Sequence, residues 1–140
     1  MSDLQEFARQ VFESQPFSQF IGAQLTRSGP GSAELSIPIV DHLKQQLGFV
    51  HGGVISYLAD NSITFAGGLA LGGNALTSEF KINYLKPAIG SLLVARAHAK
   101  SVGKRQAVCQ CEIFVVENGK ERLCAIAQGT VVPANEQGSA

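Results

Sequence analysis

The sequence is poor in charge. Only 16% of its 140 residues are charged, and 11 basic residues balance 11 acidic ones. A chain without a basic stripe or a charged tail lacks the electrostatic footprint of nucleic-acid binding or of attachment to a membrane surface. We therefore expect neither a nucleic acid nor a membrane among its partners.

Long apolar runs are missing as well. The longest candidate, residues 54–71, is interrupted by Asp60, Asn61 and several glycines, so it does not have the character of a transmembrane helix. The first residues carry acidic side chains where a secretory signal would be basic and then apolar. These absences predict a cytoplasmic protein.

Cysteine is scarce and odd in number, at Cys109, Cys111 and Cys124. All three lie in strand-like segments, where we expect them to pack as small buried hydrophobes of a reduced protein. The Cys-Gln-Cys pair has no second half, which argues against a metal site. The glycines between residues 67 and 73 lack dinucleotide or P-loop spacing, so no cofactor is predicted.

What the sequence does contain is a long stretch of helical periodicity over residues 51–66. At about 100° per residue, apolar residues gather on one face and small or polar residues on the other. The first face holds Ile55, Leu58, Ser62, Phe65 and Leu69; the second holds Gly53, Ser56, Tyr57, Asp60, Thr64 and Gly67. A helix with so little charge should be buried nearly all round, and Asp60 is then the anomaly, because a buried carboxylate needs a partner.

The segments around this helix predict a short helix and several strands. Residues 4–14 have helical spacing with Asp3 as a cap, Pro16 should end that helix, and residues 17–22 should form a connector. Alternation of apolar and polar residues predicts the strands, and Pro38 places its strand at an edge or near its own end. The expected strands are 24–28, 33–40, 76–84, 92–100, 106–116 and 123–132, with a hairpin turn at Asn118-Gly119.

These elements suit one domain over residues 1–140, with a core over about 17–132 and a frayed tail over 133–140. A buried helix followed by antiparallel strands indicates an α+β fold in which the sheet curls around the helix. A single helix cannot cover both faces of a sheet, and its polar stripe lacks a partner. Dimerisation would give that stripe a second wall.

Three motifs lie within this arrangement: Gly48-Phe49-Val50-His51-Gly52-Gly53, Leu58-Ala59-Asp60 and Asn83-Tyr84-Leu85-Lys86-Pro87-Ala88. Through them the chain resembles the hotdog-fold acyl-CoA thioesterases, in the branch of the phenylacetate-pathway and 4-hydroxybenzoyl-CoA thioesterases. The likeness runs from about residue 17 to residue 132. It implies an antiparallel sheet wrapped around one long helix, and a homodimer that usually pairs again into a homotetramer. It also implies hydrolysis of an acyl- or aryl-acyl-coenzyme A, in active sites that draw residues from both chains.

The central helix carries groups that such a reaction needs. A thioester carbonyl develops negative charge on attack, and the unpaired N–H groups of Gly52 and Gly53 at a helix N-terminus would stabilise it. Asp60 is the one acid of the predicted helix, as base or as nucleophile. It lies roughly 10 Å from Gly53 along the axis, so one carbonyl cannot easily meet both within a chain. Gly52 of one subunit can meet Asp60 of its partner if two helices pack antiparallel.

The resemblance adds further site positions. Gln45 stands where relatives often carry an Asn that orients the carbonyl or the water. Thr77, with Ser78 as the neighbouring alternative, stands where a hydroxyl helps to position the attacking water. His51 directly precedes the helix, where it either caps the helix and holds the preceding loop or transfers a proton.

Three more residues have a substrate-binding interpretation beside a plainer one. Tyr57 lines the pocket or only packs at the interface. Lys104 and Arg105, at a hairpin tip, either bind the coenzyme A phosphates as charge-assisted donors or are simply solvated.

Two other function classes stay open at this stage. A non-catalytic acyl-CoA-binding or regulatory hotdog protein could lose Asp60 without penalty, and the intact acid argues against it. A hotdog dehydratase or hydratase needs an acid and a His a few residues apart, and the adjacent Asp41-His42 pair is too close to supply them.

Overall fold

The computed structural model describes residues 2–134. Six strands form one antiparallel sheet in the order β1-β2-β4-β5-β6-β3, and the long helix α3 packs against all six. The elements are α1 Asp3–Glu13, α2 Pro16–Phe20, β1 Gln24–Gly29, β2 Ser32–Pro38, α3 Gly52–Leu71, β3 Ala75–Tyr84, β4 Leu92–Val102, β5 Ala107–Glu117 and β6 Lys120–Pro133. A sheet wrapped around one long helix confirms the predicted α+β hotdog fold.

The helix α3 buries the face that its periodicity predicts. Ile55, Leu58, Ser62, Phe65 and Leu69 are all buried against the sheet. The expectation of burial nearly all round is wrong for the single chain, because Asp60 and Thr64 are only half-buried. Gly67 belongs to the polar stripe of the helix by sequence but is buried. A Cβ at this position would lie 2.6 Å from the Val131 side chain on β6.

From residue 92 onward, short turns join strands that are neighbours in the sheet, as the sequence predicts. Asn118 and Gly119 both have positive φ, 52° and 76°, as a tight two-residue hairpin requires, so β5 and β6 pair directly. Strands β4, β5 and β6 form the predicted meander. Strand β3 pairs with β6 alone and is therefore an edge of the sheet, with a bulge between Thr77 and Glu79.

The two ends of the chain differ in detail from the sequence expectation. Ser2, not Asp3, caps α1, because the Ser2 hydroxyl accepts from Gln5 N–H and the Gln5 side chain accepts from Ser2 N–H in return. The expected connector after Pro16 contains the short helix α2. Pro133 belongs to β6 and pairs with Ala75, so it is not part of a tail; residues 135–140 of the expected tail lie outside the described residues.

The three cysteines are buried and none forms a disulfide. Burial raises the pKa of the Cys109 and Cys124 thiols to about 11 and that of Cys111 to about 12. They therefore pack as the small hydrophobes that the sequence predicts. Within residues 2–134 no helix combines the length and the apolar character that crossing a bilayer would need.

Candidate active site

The first turn of α3 is held by the side chain that precedes it. His51 is the N-cap, and its Nδ1 accepts a hydrogen bond of 2.8 Å from Gly53 N–H. Because Nδ1 is the acceptor, the proton of the neutral imidazole sits on Nε2, which is left as a donor on an exposed ring. The Gly53 N–H is thereby occupied, so the prediction that it stabilises the thioester oxygen together with the Gly52 N–H is not supported.

The neighbouring Gly52 N–H is different. No hydrogen bond engages it within the described part of the chain, as is usual for a first-turn amide of a helix. The Gly52 carbonyl accepts a 3.1 Å hydrogen bond from the Tyr84 hydroxyl, which also lies 2.5 Å from Ser56 Oγ. A pocket of about 330 Å³ opens beside this turn, and Gln45, Gly52, Tyr84 and Lys86 are among the residues that line it.

The Gln45 side chain has a defined orientation at this pocket. Its amide oxygen accepts hydrogen bonds from the Leu47 and Phe49 N–H groups. The atom that accepts from two backbone N–H groups must be the amide oxygen, so the other end of the Gln45 amide is the NH₂ group. This NH₂ group has no hydrogen-bond partner within residues 2–134. The pocket therefore has a side-chain donor and a backbone donor on its walls.

Asp60 lies further along the same stripe of α3. Its carboxylate has no cation within 4.0 Å among the described residues, and its one side-chain contact is a long one, 3.5 Å from the Thr64 hydroxyl. The Thr64 hydroxyl donates to the Asp60 carbonyl at 2.8 Å and also bonds the hydroxyl of Thr77. The structure thus brings Asp60, Thr64 and Thr77 into one cluster.

Ser78, the alternative to Thr77, points elsewhere. It follows Thr77 at the β3 bulge, and its hydroxyl bonds the Thr130 carbonyl on β6 at 3.2 Å. Ser78 is exposed, whereas Thr77 is half-buried and its hydroxyl bonds Thr64 on α3. Of the two residues, Thr77 is therefore the one that reaches the helix.

Tyr57 belongs to a polar network that ties the N-terminal helices to α3. Its hydroxyl bonds Ser18 at 2.5 Å and accepts from Asn61 at 3.0 Å, and Gln15 completes the group. Burial raises the pKa of the Tyr57 phenol, against the lowering effect of these hydrogen bonds. The ring stacks edge-on against Phe17, 5.4 Å between centroids. The hydroxyl of Tyr57 is therefore already engaged within the chain.

The groups form two clusters that are apart within the chain. Asp60 lies eight positions after Gly52, which is about 12 Å along a helix. Lys104 and Arg105 are exposed in the β4–β5 turn. That turn lies at the end of the sheet next to the C-terminal half of α3, since Ala107 pairs with Val131, which packs against Gly67. No group of three metal-ligating side chains occurs among residues 2–134.

Two residues of these clusters were not singled out for chemistry in the sequence. The position of Thr64 could be predicted from the sequence, because a residue four positions after Asp60 lies beside it on the same helix face. Tyr84 has no comparable local signal. It reaches Gly52 only because β3 ends beside the start of α3, a contact between residues 32 positions apart.

Comparisons with known proteins identify similar sequences and similar folds. A family model described as the thioesterase superfamily matches residues 47–122. A thioesterase family protein from Silicibacter pomeroyi is 31% identical, with 92% of this chain and 96% of that chain covered and a TM-score of 0.88. A mutant of the phenylacetic acid degradation protein PaaI from Thermus thermophilus is 27% identical, with coverages of 85% and 99% and a TM-score of 0.74.

The PaaI protein from the phenylacetic acid degradation operon of E. coli shares the fold at 22% identity, with a TM-score of 0.85 over 94% of each chain. The matched family region holds the helix start, Asp60, Thr77 and Tyr84, while Gln45 lies just outside it. By this match, and by the sheet that surrounds α3, the chain belongs to the thioesterase superfamily.

Proposed function

We propose that this protein hydrolyses the thioester of an acyl- or aryl-acyl-coenzyme A, to the free acid and coenzyme A, at a site shared by two chains. One observation carries the proposal. Within residues 2–134, the Gly52 N–H at the positive end of α3 has no hydrogen-bond partner, and the Asp60 carboxylate, further along the same helix, has no ion pair. Membership of the thioesterase superfamily supports a hydrolase of this kind.

The Gly52 end suits the electrophile. The thioester oxygen would accept hydrogen bonds from the Gly52 N–H and from the NH₂ group of Gln45, two residues that line the same pocket. The helix dipole adds positive potential there. Fixed donors stabilise the charge that develops on this oxygen without reorganising at the moment of reaction. His51 is a hydrogen-bond donor in this scheme rather than a base, because its Nδ1 is committed to Gly53.

The Asp60 end suits the water. The Thr64 hydroxyl donates its proton to the Asp60 carbonyl, so the Thr77 hydroxyl must donate to the Thr64 oxygen. The lone pairs of the Thr77 oxygen are then available to accept a hydrogen bond. A water between Asp60 and Thr77 can then donate one hydrogen bond to each. Asp60 takes a proton from this water while the water oxygen attacks the carbonyl carbon of the thioester. The C–S bond then breaks, and the proton passes from Asp60 to the leaving sulfur. Attack by the carboxylate itself, followed by hydrolysis of an anhydride, uses the same groups.

A partner chain supplies the missing half of each site. Antiparallel packing of two α3 helices would set Gly52 of one chain opposite Asp60 of the other. The chain also exposes large apolar side chains that a partner could cover, among them Phe17 at 58%, Phe20 at 80% and Leu47 at 70% exposure. We propose a homodimer that pairs into a homotetramer.

Substitution of the acid tests the function. Asp60→Asn keeps the shape of the side chain and removes its charge and basicity. We expect normal folding and a fall in kcat of at least about a hundredfold, the low end for loss of a general base. Asp3→Asn, in the first turn of α1, is the matched control and should keep full activity.

The measurement combines the thermal midpoint with release of coenzyme A thiol per folded site. A thiol-reactive dye detects the released coenzyme A. The three buried cysteines of the protein should react with it slowly and add little background. An Asp60→Asn variant that hydrolyses acyl-CoA near the wild-type rate would remove Asp60 from the mechanism. A wild-type protein that binds acyl-CoA but releases no thiol across a panel of acyl groups would mark a binding protein instead.

A further inference from the structure

We propose that Tyr84 is a positioning residue for the oxyanion site, which it holds in shape through the Gly52 carbonyl. The inference rests on the proposed function, because it assumes that the Gly52 N–H binds the thioester oxygen. Tyr84 is the last residue of β3, and its ring lies against Gly52, where an added Cβ would be 3.5 Å from three of its atoms. It is 53% exposed and lies on the wall of the pocket.

The need for such a residue arises from the two glycines. Glycine lets a bulky thioester approach the backbone, but it restricts φ and ψ less than any other residue. The first turn of a helix also lacks the intrahelical N–H bonds that hold later turns. An oxyanion donor works by being fixed before the reaction. Access at Gly52 and Gly53 therefore has to be combined with rigidity from elsewhere.

The structure supplies that rigidity at both ends of one peptide group. The Gly52 carbonyl and the Gly53 N–H belong to the same planar unit. Tyr84 donates to the carbonyl at 3.1 Å, and His51 Nδ1 accepts from the N–H at 2.8 Å. A peptide plane held at both ends cannot rotate, and this limits ψ of Gly52 and φ of Gly53. The Gly52 N–H belongs to the preceding peptide group, whose His51 carbonyl accepts from Val54 N–H at 3.0 Å, so Tyr84 acts on this donor by holding the Gly52 Cα between the two groups.

Ser56 sets the direction of the Tyr84 hydroxyl. A phenol has one proton, and the geometry gives it to the Gly52 carbonyl. The Ser56 hydroxyl, 2.5 Å away, must then donate to the phenol oxygen. Ser56 is one turn after Gly52 on the same helix, so the phenol oxygen binds the first turn at two points.

Tyr84→Phe tests the proposal, because it keeps the ring and removes only the hydroxyl. The loss of one hydrogen bond that orients a catalytic donor should lower kcat roughly three- to tenfold and leave KM within about twofold. The Gly53 amide proton should also shift in the NMR spectrum, since its peptide group loses the bond to its carbonyl. Thr26→Val, which removes a hydroxyl of edge strand β1 bonded to Glu34, is the matched control and should change neither quantity.

A second substitution separates this proposal from the proposed function. Gly52→Pro deletes the N–H that Tyr84 is proposed to orient, so Tyr84→Phe should have no further effect on kcat in that background, measured at raised enzyme concentration. An equal loss in both backgrounds, an unchanged kcat in the single variant, or an effect on KM alone would overturn the role of Tyr84. Full activity of Gly52→Pro itself would instead overturn the oxyanion assignment on which the inference rests.

Discussion

Gly52 combines two properties that one substitution can separate. Its N–H has no hydrogen-bond partner in the described part of the chain, residues 2–134. It stands at the first position of α3, where proline is well tolerated because the N–H there has no helical partner. His51 already has the extended conformation that a residue before proline prefers, with φ −61° and ψ 136°. Proline at this position would therefore remove the donor and leave the helix in place.

We predict that Gly52→Pro folds normally but loses roughly a hundredfold or more in kcat, as expected for an oxyanion donor. Gly52→Ala is the matched control. It keeps the N–H, and its Cβ would make an ordinary contact with the Tyr84 ring, 3.5 Å away, so it should keep most of the activity. Circular dichroism, thermal midpoint and thiol release report the outcome. Equal activity of the two variants would show that the Gly52 N–H has no part in the reaction.

At the scale of elements, the contact of α3 with β6 depends on Gly67. An added Cβ would lie 2.6 to 2.8 Å from three atoms of Val131, closer than atoms can pack. We predict that Gly67→Ala lowers the free energy of unfolding by about 1–3 kcal/mol, as overpacking does. Gly73→Ala is the control, because nothing lies within 4 Å of its Cβ position, and it should stay within about 0.5 kcal/mol of wild type. Urea unfolding curves compare the two.

The outer face of the sheet is joined across strands by Arg96. From β4 it pairs with Glu34 on β2 at 2.8 Å and with Glu121 on β6 at 2.6 Å, and it lies over the Phe114 ring. Its hydrogen bonds hold the pKa of Glu121 below the usual range. Burial alone would raise the pKa of Glu34, but hydrogen bonds from Thr26 and Arg96 outweigh it and lower this pKa too.

These lowered pKa values make the contribution of Arg96 depend on pH. A carboxyl whose pKa is lower in the folded state stabilises the fold above its unfolded pKa of about 4.3, and this stability is lost as pH falls through the folded pKa. We predict that Arg96→Met costs about 1 kcal/mol at neutral pH, because the pairs are partly exposed. The difference from wild type should shrink at pH 3. An equal difference at both pH values would assign the cost to lost packing instead.

For the assembled protein, the proposed shared site makes a prediction that a site within one chain does not. Gly52→Pro and Asp60→Asn should each be inactive alone. In a dimer of one chain of each kind, one of the two sites combines the intact Gly52 with the intact Asp60. Unfolding and refolding an equal mixture should therefore recover about a quarter of the wild-type activity, since half of the dimers are mixed.

Sedimentation of the refolded mixture and thiol release per chain measure this recovery. Each variant refolded alone is the control. No recovery in a mixture that contains mixed dimers would contradict the shared site, as would a wild-type monomer active at assay concentration.

The charges at the β4–β5 turn can also be tested in the assembled protein. If Lys104 and Arg105 bind the coenzyme A phosphates, replacing both with Ala should raise KM and leave kcat little changed, because uniform binding is lost. The change should shrink at high salt, which screens exposed charges. Arg27→Ala, which removes an exposed cation of edge strand β1, is the control. An unaltered KM at low ionic strength would make the pair ordinary solvated surface.

Apart from the short helix α2, the α-helices and strands of this protein can be predicted from the sequence alone. The apolar spacing of α3, the alternation in the strands and the Asn118-Gly119 turn are local signals, because each depends on residues close in the chain. The motif around His51 and Asp60 likewise indicates the family, because its residues are close in the chain. Boundaries at the ends were less exact, since Ser2 and Pro133 differ from expectation through one capping bond and one strand pairing.

Which polar groups are already hydrogen-bonded depends mainly on contacts between distant parts of the chain. Gly52 and Gly53 look alike in sequence, yet His51 occupies one N–H and leaves the other. Thr77 joins Asp60 because the edge strand runs beside α3, and Tyr84 meets Gly52 because that strand ends there. The physical reason is distance along the chain. A hydrogen bond between residues 13 or 32 positions apart depends on the register of the whole sheet, which periodicity within one segment does not contain.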